Sequence, residues 1–135
     1  MMHSHRITII NIRTPANKNI NQELQWLGSS LGLFNLRDRD KSCYRLFIEI
    51  VKTTKENKAL TSDELADRLS LSRGTVVHHL HKLLDSGIVV QARKGYILRV
   101  HNLQDLIDEM EKDIARTVLD LKKMAEEIDK EIGLG

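Results

Sequence analysis

Residues able to do chemistry crowd into one short stretch, between Ser72 and Lys94. It holds Ser72, Arg73, Thr75, His78, His79, His81, Lys82, Arg93 and Lys94, with Asp85 as its one acid. Donors of this kind suit a partner that presents repeated anionic oxygens, and a nucleic-acid backbone is such a partner. Other chemistry finds less support. Three histidines within four positions begin a metal site, but residues one and two apart on a helix do not share a face, and no cysteine or carboxylate joins them locally. His3 and His5 form an H-x-H pair in a start of the chain that reads as frayed. There is no glycine-rich phosphate loop, no G-x-S-x-G and no isolated carboxylate pair. Cys43 lies on an apolar helical stripe and reads as a buried, inert thiol. No enzyme activity, cofactor or metal is expected.

A helix must hold the basic groups on one side, and Leu71–Gly87 supplies it. Ser72 is a natural N-cap, because its hydroxyl can accept from a backbone N–H left unpaired at a helix start. Gly87 can take the left-handed conformation that ends a helix. Val76, Leu80, Leu83 and Leu84 recur at helical spacing as a buried stripe. Upstream, Thr61-Ser62-Asp63-Glu64 fits a capping box, and Leu65, Ala66 and Leu69 form the inner side of a second helix. Ser70-Leu71 leaves a turn short enough for a helix-turn-helix. Downstream, Ile88–Val90 and Tyr96–Val100 read as strands, with Arg93-Lys94-Gly95 as the hairpin tip. A helix over about 41–55, capped by Asp38 or Asp40, carries a wide apolar face of Cys43, Tyr44, Leu46, Phe47, Ile50 and Val51. It would cover the other two.

From Lys41 to about His101 the chain resembles a winged helix-turn-helix, and LTSDELADRLSLSRGTVVHHLHKLLDSGIVVQARKGYIL carries the likeness. It is similar to the ArsR, MarR and TrmB groups of bacterial and archaeal transcription regulators. The resemblance implies a double-stranded DNA partner, met by the helix after Ser72. Ser72 and Thr75 would donate to phosphate oxygens, and Gly74 would let the helix start approach the backbone. Arg73 would grip a phosphate or a guanine edge. Val77 lies off the buried stripe and suits a thymine methyl, with His78, His81 and Lys82 along the same side. Arg93 and Lys94 would straddle the backbone or enter the minor groove. The cysteine pair of the arsenic-sensing ArsR members is absent. His79 holds the place of a half-buried packing histidine. The alternative is the same fold used as a protein–protein interaction module within a transcription or chromatin assembly.

Charge is distributed to match. Residues 1–59 hold ten Lys/Arg against five Asp/Glu, residues 60–101 six against four, and residues 102–135 five against ten. A duplex is attracted to the first two-thirds and repelled by the tail. Apolar runs are too short for a membrane span, and Met1–Ile12 has no signal-peptide pattern. A single cysteine fits a reducing cytoplasm.

The flanks complete a mainly α fold with a small β-hairpin wing. Residues 1–37 form an N-terminal strand and helix, residues 38–101 the winged unit, and residues 102–135 a long C-terminal helix. Arg6–Arg13 is rich in β-branched residues and reads as a strand ended by Pro15, its partner being the wing or a second subunit. Asn19 or Asn21 can cap a helix to about Leu31, with Leu24, Leu27 and Leu31 inside and the small Gly28-Ser29-Ser30 allowing close approach. After the N-cap Asn102, Leu103, Ile107, Met110, Ile114, Leu121, Met124 and Ile128 recur at spacings of mostly three and four. That is roughly 45 Å of helix at 1.5 Å per residue. A stripe so long outruns a small domain, so pairing with a second copy is expected, giving a homodimer; the alternative is a helix folded back across residues 20–50 of a monomer. No effector is implied by the sequence.

Overall fold

The computed structural model describes residues 6–16, 19–34 and 41–135. It contains helices α1 (Ile20–Ser30), α2 (Ser42–Thr54), α3 (Ser62–Leu69) and α4 (Arg73–Asp85), strands β1 (Val89–Ala92) and β2 (Gly95–Leu98), and helix α5 (Leu103–Ile132). Side-chain caps start four of the helices. Asn19 accepts from the Gln22 N–H, Ser72 from Thr75 and Asn102 from Asp105. Thr61 and Glu64 exchange both bonds of a capping box, at 3.1 and 3.2 Å. The Thr61 N–H bonded to its carboxylate holds Glu64 below the usual carboxylate range. Helix α2 starts differently, at Lys41 in the left-handed region (φ 53°) with no side-chain cap bond. Asp38 and Asp40, expected to cap it, lie outside the described residues, as do His3 and His5.

One core holds these elements together, and α2 runs through it. Leu46, Phe47 and Ile50 are fully buried, as are Leu65 of α3 and Val76 and Leu83 of α4. Each such side chain contributes roughly 1.5–3 kcal/mol by leaving water. Polar bonds then set the angles between helices. Arg45 of α2 donates to the Leu69 carbonyl at 2.7 Å, satisfying the end of α3. The Thr54 hydroxyl accepts from Leu98 N–H at 3.2 Å and donates to the Ile50 carbonyl, joining α2 to β2. Leu31 and Leu33 from the first segment and Leu106 and Met110 from the last belong to the same core.

Strands β1 and β2 form an antiparallel hairpin that pairs Val89 with Leu98 and Ala92 with Gly95. Strand β1 starts one residue later than expected, after Ile88, which is fully buried and whose carbonyl takes the Arg99 N–H. Leu60 adds a further rung, exchanging backbone bonds with Tyr96 at 2.7 and 3.1 Å. A β-carbon on Gly95 would stand 2.9 Å from the Leu60 carbonyl carbon and oxygen, so only glycine permits this approach. Gly28 allows α1 an equally close contact with the Tyr44 ring.

The N-terminal segment is not a strand. Residues 6–15 join no ladder, and two of their backbone N–H groups serve helix ends instead. Arg6 N–H bonds the carbonyl of Asp85, the last residue of α4, and Ile10 N–H bonds that of Ser30, the last residue of α1. Helix C-termini leave such carbonyls unpaired. Trp26 clasps the segment by donating from Nε1 to the Ile12 carbonyl.

Helix α5 has two parts. Its first turns are core, with Leu106 and Met110 buried. Arg99, just beyond β2, anchors it by donating to Asp113 at 2.6 Å with Glu109 nearby at 3.7 Å. The Asp113 bond raises the Arg99 pKa above its ordinary value. Past Ile114 the helix leaves the body, and Gly133 ends it in the left-handed conformation. Among the described residues no helix is long and apolar enough to cross a membrane. Gly95→Ala is expected to lower stability by about 1–3 kcal/mol, since backbone must move to admit the methyl; urea denaturation followed by circular dichroism checks this.

Candidate nucleic-acid interface

Burial of Val76, Leu80 and Leu83 decides which side of α4 faces outward. Ser72, Arg73, Gly74, Val77, His78 and His81 are exposed, and Thr75 is half-exposed. This face carries no acid before Asp85 at its far end. Val77 keeps 38% of its surface in water although its neighbour Val76 keeps none. An exposed branched side chain amid polar ones offers a methyl-sized contact at no cost to the core.

The helix start is already arranged as a donor group. Ser72 Oγ accepts from Thr75 N–H at 3.1 Å and gives its own proton to Thr75 Oγ1 at 2.8 Å. The Thr75 hydroxyl therefore keeps its proton for an outside acceptor. Arg73 pairs with Asp63 at 3.6 Å, both side chains being 75% exposed. Such a pair is weak and is readily exchanged for a phosphate. A β-carbon on Gly74 would meet nothing within 4 Å. The fold thus has no need of glycine there, whereas close passage of a backbone would.

At the wing tip Arg93 and Lys94 are exposed, and both lie in the left-handed region, at φ 50° and 68°. This is the sign pattern of a type I′ hairpin turn, which ordinarily selects Asn-Gly. Two long cations held there against preference fit a role outside the turn itself.

The structure separates some residues that the sequence grouped. Lys82 lies at the edge of the outward face, half-buried, with its ammonium donating to the Gly32 carbonyl at 2.7 Å. Nothing local in the sequence signals a bond between residues fifty apart. His78 and His81 border a half-open hollow of about 1070 Å³ that residues of the N-terminal segment and α5 also line. His79 is half-buried, its ring edge-on to His78 at 5.2 Å. Among the described residues no three His, Cys, Asp or Glu side chains gather as metal ligands. Arg99 and Arg6 escaped the sequence reading. Arg99 lies outside any motif, and Arg6 was taken for part of a strand.

The expected dimer stripe also divides. Met110 is 2% exposed and Leu103 and Ile114 are half-buried, so the single chain already uses them. Ile107 is 40% exposed, Leu121 63%, Met124 58% and Ile128 47%.

Helix α2 over a helix-turn-helix pair, followed by a two-stranded wing, defines a winged helix-turn-helix. In agreement, a family model described as a helix-turn-helix domain matches residues 44–92, from the first turn of α2 to the end of β1. No curated protein and no solved structure matches the chain. The match covers the helix-turn-helix pair, most of α2 and β1; the wing tip and α5 lie beyond it. Gly74→Ala is expected to raise stability by up to about 1 kcal/mol while weakening DNA binding. Thermal melting and fluorescence anisotropy with a duplex test the two halves, and unchanged affinity would remove the close-approach role.

Proposed function

We propose that the protein is a homodimeric, sequence-specific DNA-binding regulator of transcription that acts in the cytoplasm. What carries the reading is the outward face of α4: Arg73, Gly74, Thr75, Val77, His78 and His81 stand together opposite a fully buried stripe, with the cations of the wing tip beyond. In the bound state α4 lies in the major groove with its N-terminal half against base edges, and Arg93 and Lys94 engage the flanking backbone. Lys82 gives up or shares its bond to Gly32 if it reaches a phosphate.

The distal half of α5 supports pairing. Leu121, Met124, Ile128 and Ile132 stay exposed along a helix that has left its own domain. A second copy of that helix covers them most simply. Two recognition helices then meet half-sites about 34 Å apart on a roughly palindromic operator.

DNA affinity should fall steeply with salt as counterions are released. Arg73→Ala should weaken binding by about tenfold at the preferred site. Removing both wing cations should weaken binding to all duplexes and flatten the salt slope by about one per lost phosphate contact. Selection from a random duplex pool at low salt tests the whole proposal; a folded protein that enriches nothing would point instead to a protein-interaction module. Ending the chain after Val118 spares Leu106 and Met110 in the core. This version should sediment as a folded monomer with weaker operator binding, and a persistent dimer would move the seam elsewhere.

A further inference from the structure

We propose that Arg6, His81 and Lys82 form a second seat for a duplex phosphate, beside the C-terminal half of α4. The proposal deepens the DNA-binding reading above and rests on it. Arg6 is remote from α4 in sequence. Its backbone N–H bonds the Asp85 carbonyl at 3.1 Å, which fixes it at the end of that helix. His81 and Lys82 precede Asp85 by four and three residues, so they stand on the same side of α4 one turn away. All three residues line the half-open hollow of about 1070 Å³, together with His78.

Charge along this hollow is one-sided. Arg6, His78, His81 and Lys82 face a single lining acid, Asp85. The turn after α1 and helix α5 contribute only uncharged residues, Leu31, Leu33, Ile114, Thr117 and Val118. The α5 carboxylate next to Ile114, that of Asp113, is held by Arg99 and Arg116. His79 is half-buried and stands edge-on to His78.

Two of the cations are placed with care. The Arg6 side chain is exposed, and among the described residues no carboxylate pairs with it. An arginine anchored by its backbone, with its guanidinium open, suits an outside oxygen anion. Lys82 donates to the Gly32 carbonyl at 2.7 Å, which uses one of three protons and leaves two. This tether lowers the entropy lost when a long side chain meets a phosphate. Gly32 has φ 73°, and a β-carbon there would stand 2.7 Å from the Thr8 methyl. The segment that presents Arg6 therefore also specifies the turn that tethers Lys82.

Dimensions bring DNA to the seat. Helix α4 has 13 residues, roughly 20 Å at 1.5 Å per residue. The major groove is about 12 Å wide. With Arg73 and Thr75 at one side of the groove, the C-terminal turns come level with the phosphates on the other. That phosphate arrives on a duplex already held at the helix start and the wing, so three partly solvated donors suffice. Histidine changes charge between about pH 5 and pH 8, whereas arginine and lysine keep theirs. A phosphate beside His81 favours its cationic form, so binding takes up a proton and tightens as pH falls.

The test is fluorescence anisotropy of the full-length protein with a mixed-sequence duplex of about 30 base pairs at low salt, since a phosphate contact acts on every sequence. Arg6→Gln keeps the backbone N–H that docks the segment. It should weaken binding about fivefold and flatten the salt slope by about one, with the melting temperature unchanged. Arg6→Lys retains the charge and should recover most of the loss. Lys82→Gln can keep a bond to Gly32 through its amide and should show a similar loss. Wild-type affinity should rise about fivefold from about pH 8 to about pH 6. His81→Gln should cut that rise to about twofold, while Arg6→Gln leaves it in place. Wild-type affinity in Arg6→Gln or Lys82→Gln, a flat pH profile, or a rise untouched by His81→Gln would overturn the seat alone, because the duplex is still bound. A folded protein that binds no duplex would overturn the seat together with the reading it rests on.

Discussion

The structure depends on the burial of one stripe of α4 against α2. Val76, Leu80 and Leu83 retain at most 1% of their surface, facing a core that holds Leu46, Phe47 and Ile50. Three such side chains together contribute several kcal/mol, a large part of the net stability of a small domain. Rotation of α4 about its axis would expose them, so its orientation is stiffly set. The outward residues gain their arrangement from this burial and need no contacts of their own. Gly74 illustrates it: nothing in the fold touches the space above it.

Backbone satisfaction shapes the parts around that core. Helices end with carbonyls that need donors. Arg45 serves α3, Arg6 serves α4 and Ile10 serves α1. The last two bonds lay the N-terminal segment along one side of a half-open hollow beside α4. Lys82 joins the same hollow through Gly32. Within the single chain the segment's Arg6 and Ile10 donors thus go to helix ends and not to the wing.

Helix α5 changes role along its length. Its start completes the core through Leu106 and Met110, and Arg99 fixes its direction through Asp113. Arg116 also bonds Asp113, so two arginines share this carboxylate. Beyond it the apolar positions continue, and among the described residues nothing covers Leu121, Met124 or Ile128. The rigid junction matters because any pairing through the distal half would transmit a fixed spacing to the two α4 helices.

Local physics made much of this legible in advance. Caps at Asn19, Thr61, Ser72 and Asn102 act over three residues, so residue type alone revealed them. The buried stripe of α4 follows from periodicity in the same way, whereas Arg93 and Lys94 hold the wing tip against the usual preference of such a turn. The stripe of α5 was equally plain, but not its division, because periodicity shows which side of a helix is apolar and not where its cover ends. Bonds between distant residues left no local trace. The N-terminal segment has strand-forming residues, yet helix-end carbonyls claimed its donors. Lys82 belongs by spacing to the outward face, yet a carbonyl fifty residues away holds it at the edge. By itself, then, the sequence determined the helix-turn-helix, its wing and the composition of its outward face, since short-range forces specify these. Only the tertiary structure decided which of those groups stay free and what cavity lies beside them, because that depends on where remote backbone groups find their hydrogen bonds.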